Sequence, residues 1–317
     1  MSIDMTNPIF NDEAMAREHL EQIRWPDGPF CPHCGEVEKV YRLHGKSHRD
    51  GLIHCNSCDG SFTVTTGTVM ESSHVPLHKW VLAYRLMNSS KKGISAHQLH
   101  RTIGVTYKTA WFMAHRIRES MRADDLAPMG GEGSVIEIDE TYIGHKDGFE
   151  VRQGAWHKNA VLTLVERGGA ARSFHIDNIR KADILPIVRA NIARESKVMT
   201  DEAAQYARLG DEFAKHGSVD HHRAEYGYTD RAGDRINTNT VEGFYSIFKR
   251  GMKGVYQHCG EQHLHRYLAE FDFRYSNRVK LGVDDTERTI RAIKGGHGKR
   301  LTYKPTSSTQ SARARHL

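Results

Sequence analysis

Two Cys-x-x-Cys pairs, twenty residues apart, constrain the folding of this chain more than any other feature. The four residues are Cys31, Cys34, Cys55 and Cys58. Two short apolar stretches between the pairs, 40–43 and 51–53, can form a hairpin between two thiolate turns. Four thiolates complete a tetrahedral shell and leave no position open to a reactant. We therefore expect one structural Zn²⁺ that folds a ribbon and takes no part in catalysis.

Two unrelated redox pairs are the alternative interpretation, but no thioredoxin-like pattern surrounds them. Gly35 and Gly60 follow the second cysteine of each pair closely, and we expect both to help the backbone turn around the metal. Cys259 has no second cysteine at motif spacing, so it is interpreted as an ordinary thiol. This use of cysteine suits a reduced compartment and a metal better than a disulfide framework.

Two aspartates lie at the ends of predicted strands. Residues 134–144 alternate apolar and acidic side chains up to a glycine, which predicts a strand with Asp139 near its end. Residues 196–202 predict a second short strand, closed by Asp201, behind the helical pattern of 182–193. Ligands gather at the ends of strands on sheets of this class, so both aspartates are candidates for one site.

A third acid lies on a predicted helix, 238–250. The apolar residues of this segment recur at helical spacing, whereas Glu242 and Lys249 share the opposite face, two turns apart. We expect Glu242 to complete the acidic set and Lys249 to contact a substrate phosphate as a point charge. Asn239 is a competing third ligand, or alternatively the N-cap residue of the helix.

Three converging carboxylates suit divalent-metal chemistry on a phosphodiester. Mg²⁺, or Mn²⁺ in its place, prefers carboxylate oxygens and keeps waters and substrate phosphates in its shell. Two such ions can activate a nucleophile and stabilise the leaving oxygen. Water as nucleophile would nick DNA, and the freed 3′-hydroxyl could attack a target strand at the same site. Each acid alone is more often a turn former or a solvated charge, but the combination favours a catalytic site.

Residues 77–123 predict a helix-turn-helix-like unit. Apolar spacing predicts a first helix, Ser95 can cap a second, and Thr106 can cap a third. The N-terminal end of the third helix is where recognition helices meet bases. The candidate DNA contacts are polar or cationic side chains on this helix and on the helix of the third acid: Tyr107, Lys108, Thr109, Arg116, Lys249 and Arg250. A plain three-helix packing unit is the alternative.

Basic residues are concentrated in two segments. The formal net charge is +6, but residues 77–122 contain nine Lys and Arg against one acid, and residues 286–317 contain eight against one. The rest of the chain is net acidic, as expected if separate parts of the protein bind phosphates and cations. The alternative is that these charges only keep the surface solvated. No apolar run approaches the roughly 20 residues that span a bilayer. The N-terminus lacks a basic region followed by an apolar stretch, so we expect a cytoplasmic protein without membrane contact.

These motifs resemble those of bacterial insertion-sequence transposases of the zinc-ribbon, ISXO-like DDE group. The resemblance runs through most of the chain and rests on the two cysteine pairs and on blocks 60–69, 139–144, 200–202, 239–244 and 267–275. It implies an RNase H-like catalytic domain and metal-dependent transposition, with Asp139 and Asp201 as the first two acids. The third position in this group is asparagine or glutamate. This sequence offers both Asn239 and Glu242, so that choice stays open.

The predicted fold is a multidomain chain of the α+β or α/β class. Its predicted parts are an N-terminal helical lead (1–28), a zinc ribbon (29–70), the helix-turn-helix-like unit (77–123), an RNase H-like domain with a mixed sheet flanked by helices (130–280) and a basic, disordered tail (281–317). Gly168 and Gly169 predict a hairpin turn, and residues 227–234 predict a mobile loop. His221 and His222 are candidates to approach DNA or the metals.

We therefore expect a transposase that binds the terminal inverted repeats of an insertion sequence and catalyses metal-dependent DNA cleavage and strand transfer. Its partners would be the element's ends and the target DNA. Joining two ends favours at least a homodimer. One alternative is a hydrolytic RNase H-like nuclease that never joins ends. Another is a zinc-containing DNA-binding regulator with an inactive catalytic domain.

Overall fold

In a computed structural model the chain divides into two compact units. The structure describes residues 4–124, 126–146, 148–220 and 226–302. The first unit comprises Met1–Ser89, Ser95–Met121 and Asp285–Leu317, and the second comprises Ser90–Ile94 and Arg122–Asp284. His221, His222 and residues 303–317 lie outside the described residues. Among those that are described, no helix has the length and apolar character needed to cross a membrane.

The main helices and strands of the described residues have the following bounds. They are α1 (Glu13–Arg24), β1 (Val40–Arg42), β2 (Ile53–Cys55), β3 (Gly60–Phe62), α2 (Leu77–Asn88), α3 (Ala96–Ile103), α4 (Tyr107–Met121), β4 (Val135–Ile143), β5 (Asn159–Glu166), β6 (Ala171–Ile176), α5 (Lys181–Asn191), β7 (Lys197–Asp201), β8 (Lys215–Val219), β9 (Tyr228–Thr229), β10 (Arg235–Ile236), α6 (Asn239–Gly251), α7 (Leu264–Ser276) and α8 (Asp285–Lys294).

Helix capping in the first unit follows the sequence prediction. The Ser95 hydroxyl accepts a hydrogen bond from the backbone N–H of Gln98 at 3.1 Å, so Ser95 caps α3. The Thr106 hydroxyl accepts one from the N–H of Thr109 at 3.2 Å at the start of α4. Between them Gly104 has φ +63°, a left-handed conformation that glycine adopts without strain. Both predicted caps are confirmed.

Helix α8 corrects the prediction of a disordered tail. This helix packs against α2 and α4, and its apolar face buries Ala292 and Ile293. Arg288 is buried and donates to the carbonyl of Asn88 at 2.7 Å. The carbonyl of Gly296 then accepts from the N–H of Val69 at 3.2 Å. The basic composition concealed a short amphipathic helix whose buried face consists of Ala292, Ile293, Thr289 and the long side chain of Arg288.

The second unit is built on a five-stranded mixed sheet in the order β6-β5-β4-β7-β8. Strands β4, β5 and β6 form an antiparallel meander, with the predicted turn at Gly168 and Gly169 between β5 and β6. Strands β7 and β8 continue the sheet in the direction parallel to β4. The central strand β4 thus pairs with one antiparallel and one parallel neighbour.

Helices cover both faces of this sheet. On one face, Ile136 and Ile138 of β4 join a core with α5 residues such as Val188. On the other face, Val161 of β5 joins a core with α6 and α7 residues such as Phe248. Because side chains alternate along a strand, the odd-numbered residues of β4 face α6.

The predicted mobile loop at 227–234 is instead a small hairpin of β9 and β10. Asp230 accepts hydrogen bonds from the N–H groups of Ala232 and Asp234 within its turn, both at 2.9 Å. Asp234 also forms ion pairs with Lys197 at 2.5 Å and with Lys215 at 2.6 Å. The prediction of a mobile loop was wrong. The Gly/Asp-rich residues form a turn, and Lys197 of β7 and Lys215 of β8 hold that turn in place.

The close packing at the end of α8 gives a stability test. A Cβ added at Gly295 would lie 2.3 Å from the carbonyl oxygen of Ser120. We expect Gly295→Ala to destabilise the first unit by about 1–3 kcal/mol, since the backbone must shift to relieve overpacking. Amide hydrogen exchange in α4 of the full chain should report this loss. Gly254→Ala is the matched control, because nothing lies within 4 Å of its Cβ position. Unchanged protection of α4 in Gly295→Ala would contradict the packing described.

Candidate metal and nucleic-acid sites

The four cysteines of the N-terminal pairs form a compact cluster. Their sulfurs all lie within 4.8 Å of one another. The Cys31 and Cys58 sulfurs are 3.6 Å apart, as are those of Cys34 and Cys55. A tetrahedral zinc ion with bonds of about 2.3 Å separates its sulfurs by about 3.8 Å. The spacing therefore fits one ion with four thiolates, and it is too long for disulfides, whose S–S bond is about 2.05 Å.

A three-stranded sheet supports this cluster. The predicted hairpin is present as β1 and β2, and β3 adds a third antiparallel strand that the sequence did not indicate. Gly35 has φ +79°, as expected for a turn beside the first pair. At the second pair Asp59 takes the left-handed conformation, with φ +55°, so the role predicted for Gly60 was wrong. Gly60 instead leaves room for the Cys58 sulfur, which would lie 3.2 Å from an added Cβ.

Asp139 and Asp201 are placed side by side by the parallel pairing of β4 and β7. The last pair in this register is Glu137 with Met199, and each aspartate lies two residues further along its own strand. Both side chains project from the same face because the side-chain period of a strand is two. One carboxylate oxygen of each accepts a local backbone N–H, from Glu140 at 2.8 Å and from Ala203 at 3.1 Å.

Helix α6 brings Glu242 to this face. The helix packs on β4 and β5, and the Tyr245 hydroxyl donates to the backbone carbonyl of Asp139 at 2.6 Å. Glu242 is exposed, and its carboxylate accepts a hydrogen bond from the Thr238 hydroxyl at 2.9 Å. The three predicted acids therefore come from two strands and one helix that converge on one region of the sheet.

The acids interact electrostatically. The pKa of Asp139 is raised to about 7, mainly by burial and also by the neighbouring carboxylates of Glu140, Asp201 and Glu242, against the lowering effect of a backbone hydrogen bond. Negative charge thus accumulates around Asp139. Among the described residues, however, only the cysteines bring three or more ligand atoms within 4.8 Å of one another. The three carboxylates form an open arrangement.

Glu140 is an acidic neighbour that the sequence analysis did not single out. It points to the opposite face of β4 from Asp139, where it accepts hydrogen bonds from Tyr206 at 2.5 Å and Gln205 at 3.1 Å. Burial raises the pKa of Glu140. Only its position beside Asp139 could have identified it, because its partners lie more than sixty residues away in the sequence.

The remaining candidates on α6 are placed as follows. Asn239 is exposed and is the first residue of the helix, whereas Thr238 occupies the N-cap position, so the N-cap alternative for Asn239 was wrong. The Lys249 ammonium lies 5.8 Å from the centre of the Tyr245 ring. Arg250 is exposed and donates back to the carbonyl of Ser246 at 2.9 Å.

The N-terminal end of α4 presents an exposed polar surface. Tyr107 is 45% exposed, and its ring stacks on His97 of α3 with centroids 4.3 Å apart. Lys108 is exposed beside it. Thr109 is half-buried and its hydroxyl hydrogen-bonds that of Thr106 at 2.8 Å.

Arg116 lies elsewhere than predicted. Its guanidinium donates to the carbonyl of Glu71 at 3.1 Å and lies 4.8 Å from the centre of the Phe112 ring. Burial lowers its pKa. The side chain is therefore held against neighbouring elements of the first unit, and it is not part of the exposed surface at the start of α4. Periodicity alone did not reveal this, because Arg116 flanks the buried stripe of the helix.

The cysteine cluster predicts one tightly bound zinc ion per chain. Cys34→Ser should lose that ion and the protection of the ribbon, because binding energy at a four-thiolate site is also folding energy. Metal content and amide exchange over residues 30–64 would measure both. Cys259→Ser is the matched control, since Cys259 lies outside the cluster. A ribbon that remains folded after chelation, with no metal released, would contradict this assignment.

Comparison with known proteins finds a matching family model for each of two segments of the chain. Residues 130–276 match the model of the ISXO2-like transposase domain, and residues 11–61 match that of the transposase zinc-ribbon domain. An uncharacterized protein in transposable element ISH50 of Halobacterium salinarum is 30% identical over 284 residues, which cover 84% of this chain and 91% of that protein. From these two matches and this relative, the chain belongs to the ISXO2-like, or IS1595, transposase family.

Proposed function

We propose that this protein binds the ends of an insertion sequence and catalyses metal-dependent cleavage and transfer of DNA strands. The observation that carries the proposal is the convergence of Asp139, Asp201 and Glu242 on one face of the sheet. Family membership supports it, because transposases act on nucleic acid.

The sheet supports an RNase H-like assignment for the second unit. Three antiparallel strands followed by two strands parallel to the first are the arrangement expected of such a domain. Helices on both faces agree with this assignment. The first strand of this sheet along the chain, β4, carries Asp139, and the fourth, β7, carries Asp201.

The three acids fit divalent cations. Their oxygens are the hard ligands that Mg²⁺ and Mn²⁺ prefer. Burial is the main cause of the raised pKa of Asp139, and the neighbouring carboxylates add to it, which supports a site that gathers negative charge. The open spacing suits two ions about 3.5–4 Å apart better than one ion enclosed by all three side chains. We assign Asp139, Asp201 and Glu242 as ligands, with Asn239 as the alternative third ligand.

The chain's own residues orient the reactants. When bound, two divalent ions supply activation of the attacking oxygen and stabilisation of the leaving oxygen. Tyr245 fixes the backbone of Asp139 by its hydrogen bond, and Thr238 orients the carboxylate of Glu242. Lys249 lies two turns beyond Glu242 and is assigned to a substrate phosphate, with Arg250 as a further backbone contact. These groups hold the phosphodiester while the 3′-hydroxyl attacks.

Recognition of the element's ends is assigned to α3, its turn and α4. The short turn at Gly104 and the exposed N-terminal end of α4 resemble a helix-turn-helix unit. We assign Tyr107, Lys108 and Thr109 to the DNA contact. We do not assign Arg116 to it, because its guanidinium is bound to the carbonyl of Glu71 within the same unit. Holding two ends together requires at least a dimer in the active complex.

Two other functions make different predictions. A hydrolytic nuclease would cut the same DNA but would never join ends. A zinc-containing regulator would bind DNA with no dependence on the three acids. The electrostatic coupling of the acids disfavours the regulator, because a binding protein gains nothing from an uncompensated negative site.

Strand transfer tests the proposal. With end duplexes, a plasmid target and Mg²⁺, we expect the wild-type protein to give joined products. Asp139→Asn should reduce them by at least about 100-fold, because a carboxamide is a poor substitute for a metal-binding carboxylate. Gel analysis of labelled ends measures both products and DNA binding, and binding should be retained.

Asp211→Asn is the matched control, an exposed aspartate in the same unit. It should join ends as the wild type does. Cleavage without joining by the wild type would favour the nuclease, and binding alone would favour the regulator. Full strand transfer by Asp139→Asn would refute the assigned site.

A further inference from the structure

A buried carboxylate on β4 contacts the first turn of α6. The side chain of Glu137 is 0% exposed. It accepts hydrogen bonds from the backbone N–H of Thr240 at 2.6 Å, from the Thr240 hydroxyl at 2.9 Å and from the N–H of Val241 at 2.9 Å. Glu137 therefore satisfies N–H groups that the start of a helix leaves without intrahelical partners.

Arg167 holds this carboxylate in place. Its Nε donates to Glu137 at 2.6 Å. Its two terminal nitrogens donate to the backbone carbonyls of Arg235, at 2.6 Å, and Asn237, at 2.9 Å. The guanidinium thus joins β4 to the chain that enters α6. All these groups lie in the second unit.

Locally, the Asn237 side chain accepts a hydrogen bond from the N–H of Asn239 at 3.3 Å, whereas the N–H groups of Thr240 and Val241 are satisfied by Glu137. Thr238 occupies the N-cap position, but its side chain makes no capping hydrogen bond and instead donates to Glu242. A carboxylate at a helix N-terminus also interacts favourably with the helix dipole. The function of a cap is therefore supplied by a residue more than one hundred positions earlier in the chain.

The spacing of these residues connects the contact to the acids. Glu137 precedes Asp139 by two residues on the same face of β4, and Thr240 precedes Glu242 by two residues on α6. We propose that Glu137, held by Arg167, is a positioning residue that fixes Glu242 relative to Asp139. This inference rests on the proposed function of the three acids.

A purely structural role is the competing explanation, and the chain offers a matched control. Glu270 of α7 is also 0% exposed and forms an ion pair with Arg274. It accepts a hydrogen bond from Tyr256 at 2.6 Å. Glu270→Gln removes the same kind of buried charge without touching α6's first turn. Both variants should lower the thermal midpoint, so stability alone does not decide between the explanations.

The metal dependence of strand transfer separates them. Glu137→Gln places an NH₂ group against the N–H donors of α6 and the guanidinium of Arg167, so the first turn of α6 should shift. The rate of strand transfer at saturating Mg²⁺ should fall by about 100-fold, as expected for a reacting group misplaced by about 1 Å. The substitution should also raise the Mg²⁺ concentration for half-maximal activity. Glu270→Gln should leave that concentration unchanged. Thr240→Ala removes one hydrogen bond to Glu137 and should give a smaller change in the same direction.

Amide hydrogen exchange gives a readout that needs neither DNA nor activity. In Glu137→Gln, the amides of Thr240, Val241 and Glu242 should exchange faster, while those of α7 keep their protection. Glu270→Gln should show the reverse. If Glu137→Gln does not fold, Thr240→Ala is measured in the same way, with wild-type exchange as its reference.

The outcomes distinguish this inference from the proposed function. An inactive wild type would refute the proposed function, whereas the exchange data would still show whether Glu137 holds α6. An active wild type with unchanged Mg²⁺ dependence in Glu137→Gln and Thr240→Ala would overturn the positioning role. Equal changes in Mg²⁺ dependence for Glu137→Gln and Glu270→Gln would overturn it too, because they would reflect stability alone.

Discussion

The pairing of β4 with its two neighbours is the constraint on which the second unit depends. Its antiparallel partner β5 and its parallel partner β7 fix the strand from both sides. The parallel register decides that Asp139 and Asp201 are neighbours on one face. A slip of one residue would turn one aspartate to the face covered by α5, since strand side chains alternate. The apolar core on the α5 face opposes such a slip, because it would place an aspartate charge among buried residues such as Ile136 and Ile138.

The proposed site concentrates negative charge at the cost of local stability. Three acids and Glu140 lie near one another, and they add to the effect of burial, which is the main cause of the raised pKa of Asp139. Two fully buried carboxylates of the same unit do have cationic partners: Glu137 pairs with Arg167 and Glu270 with Arg274. This contrast is expected if the missing positive charge at the site comes from bound cations. Glu137 and Glu270 each have a cationic partner, so these two acids can serve as rigid supports in the folded chain.

Local features were readable from the sequence, and tertiary contacts were not. The cysteine spacing gave the ribbon, and capping chemistry gave the starts of α3 and α4 at Ser95 and Thr106. The strands of Asp139 and Asp201 followed from alternation and length, but the prediction that Asp139 lies near the end of its strand was wrong, because β4 continues to Ile143 in its pairing with β5. Glu137 gave no signal, because an acid within an alternating strand is the pattern of a solvated face. Its role depends on Arg167, thirty residues away, and on a helix more than one hundred residues away. Helix α8 was missed for a related reason, since its stability comes from packing on α2 and α4.

The most direct measurement is the location of divalent ions by anomalous diffraction, in crystals of the protein with an end duplex and Mn²⁺. The account predicts manganese peaks between Asp139, Asp201 and the third ligand, with Glu242 rather than Asn239 in contact. Peaks confined to other acidic groups, or none at these carboxylates with DNA bound across them, would contradict it.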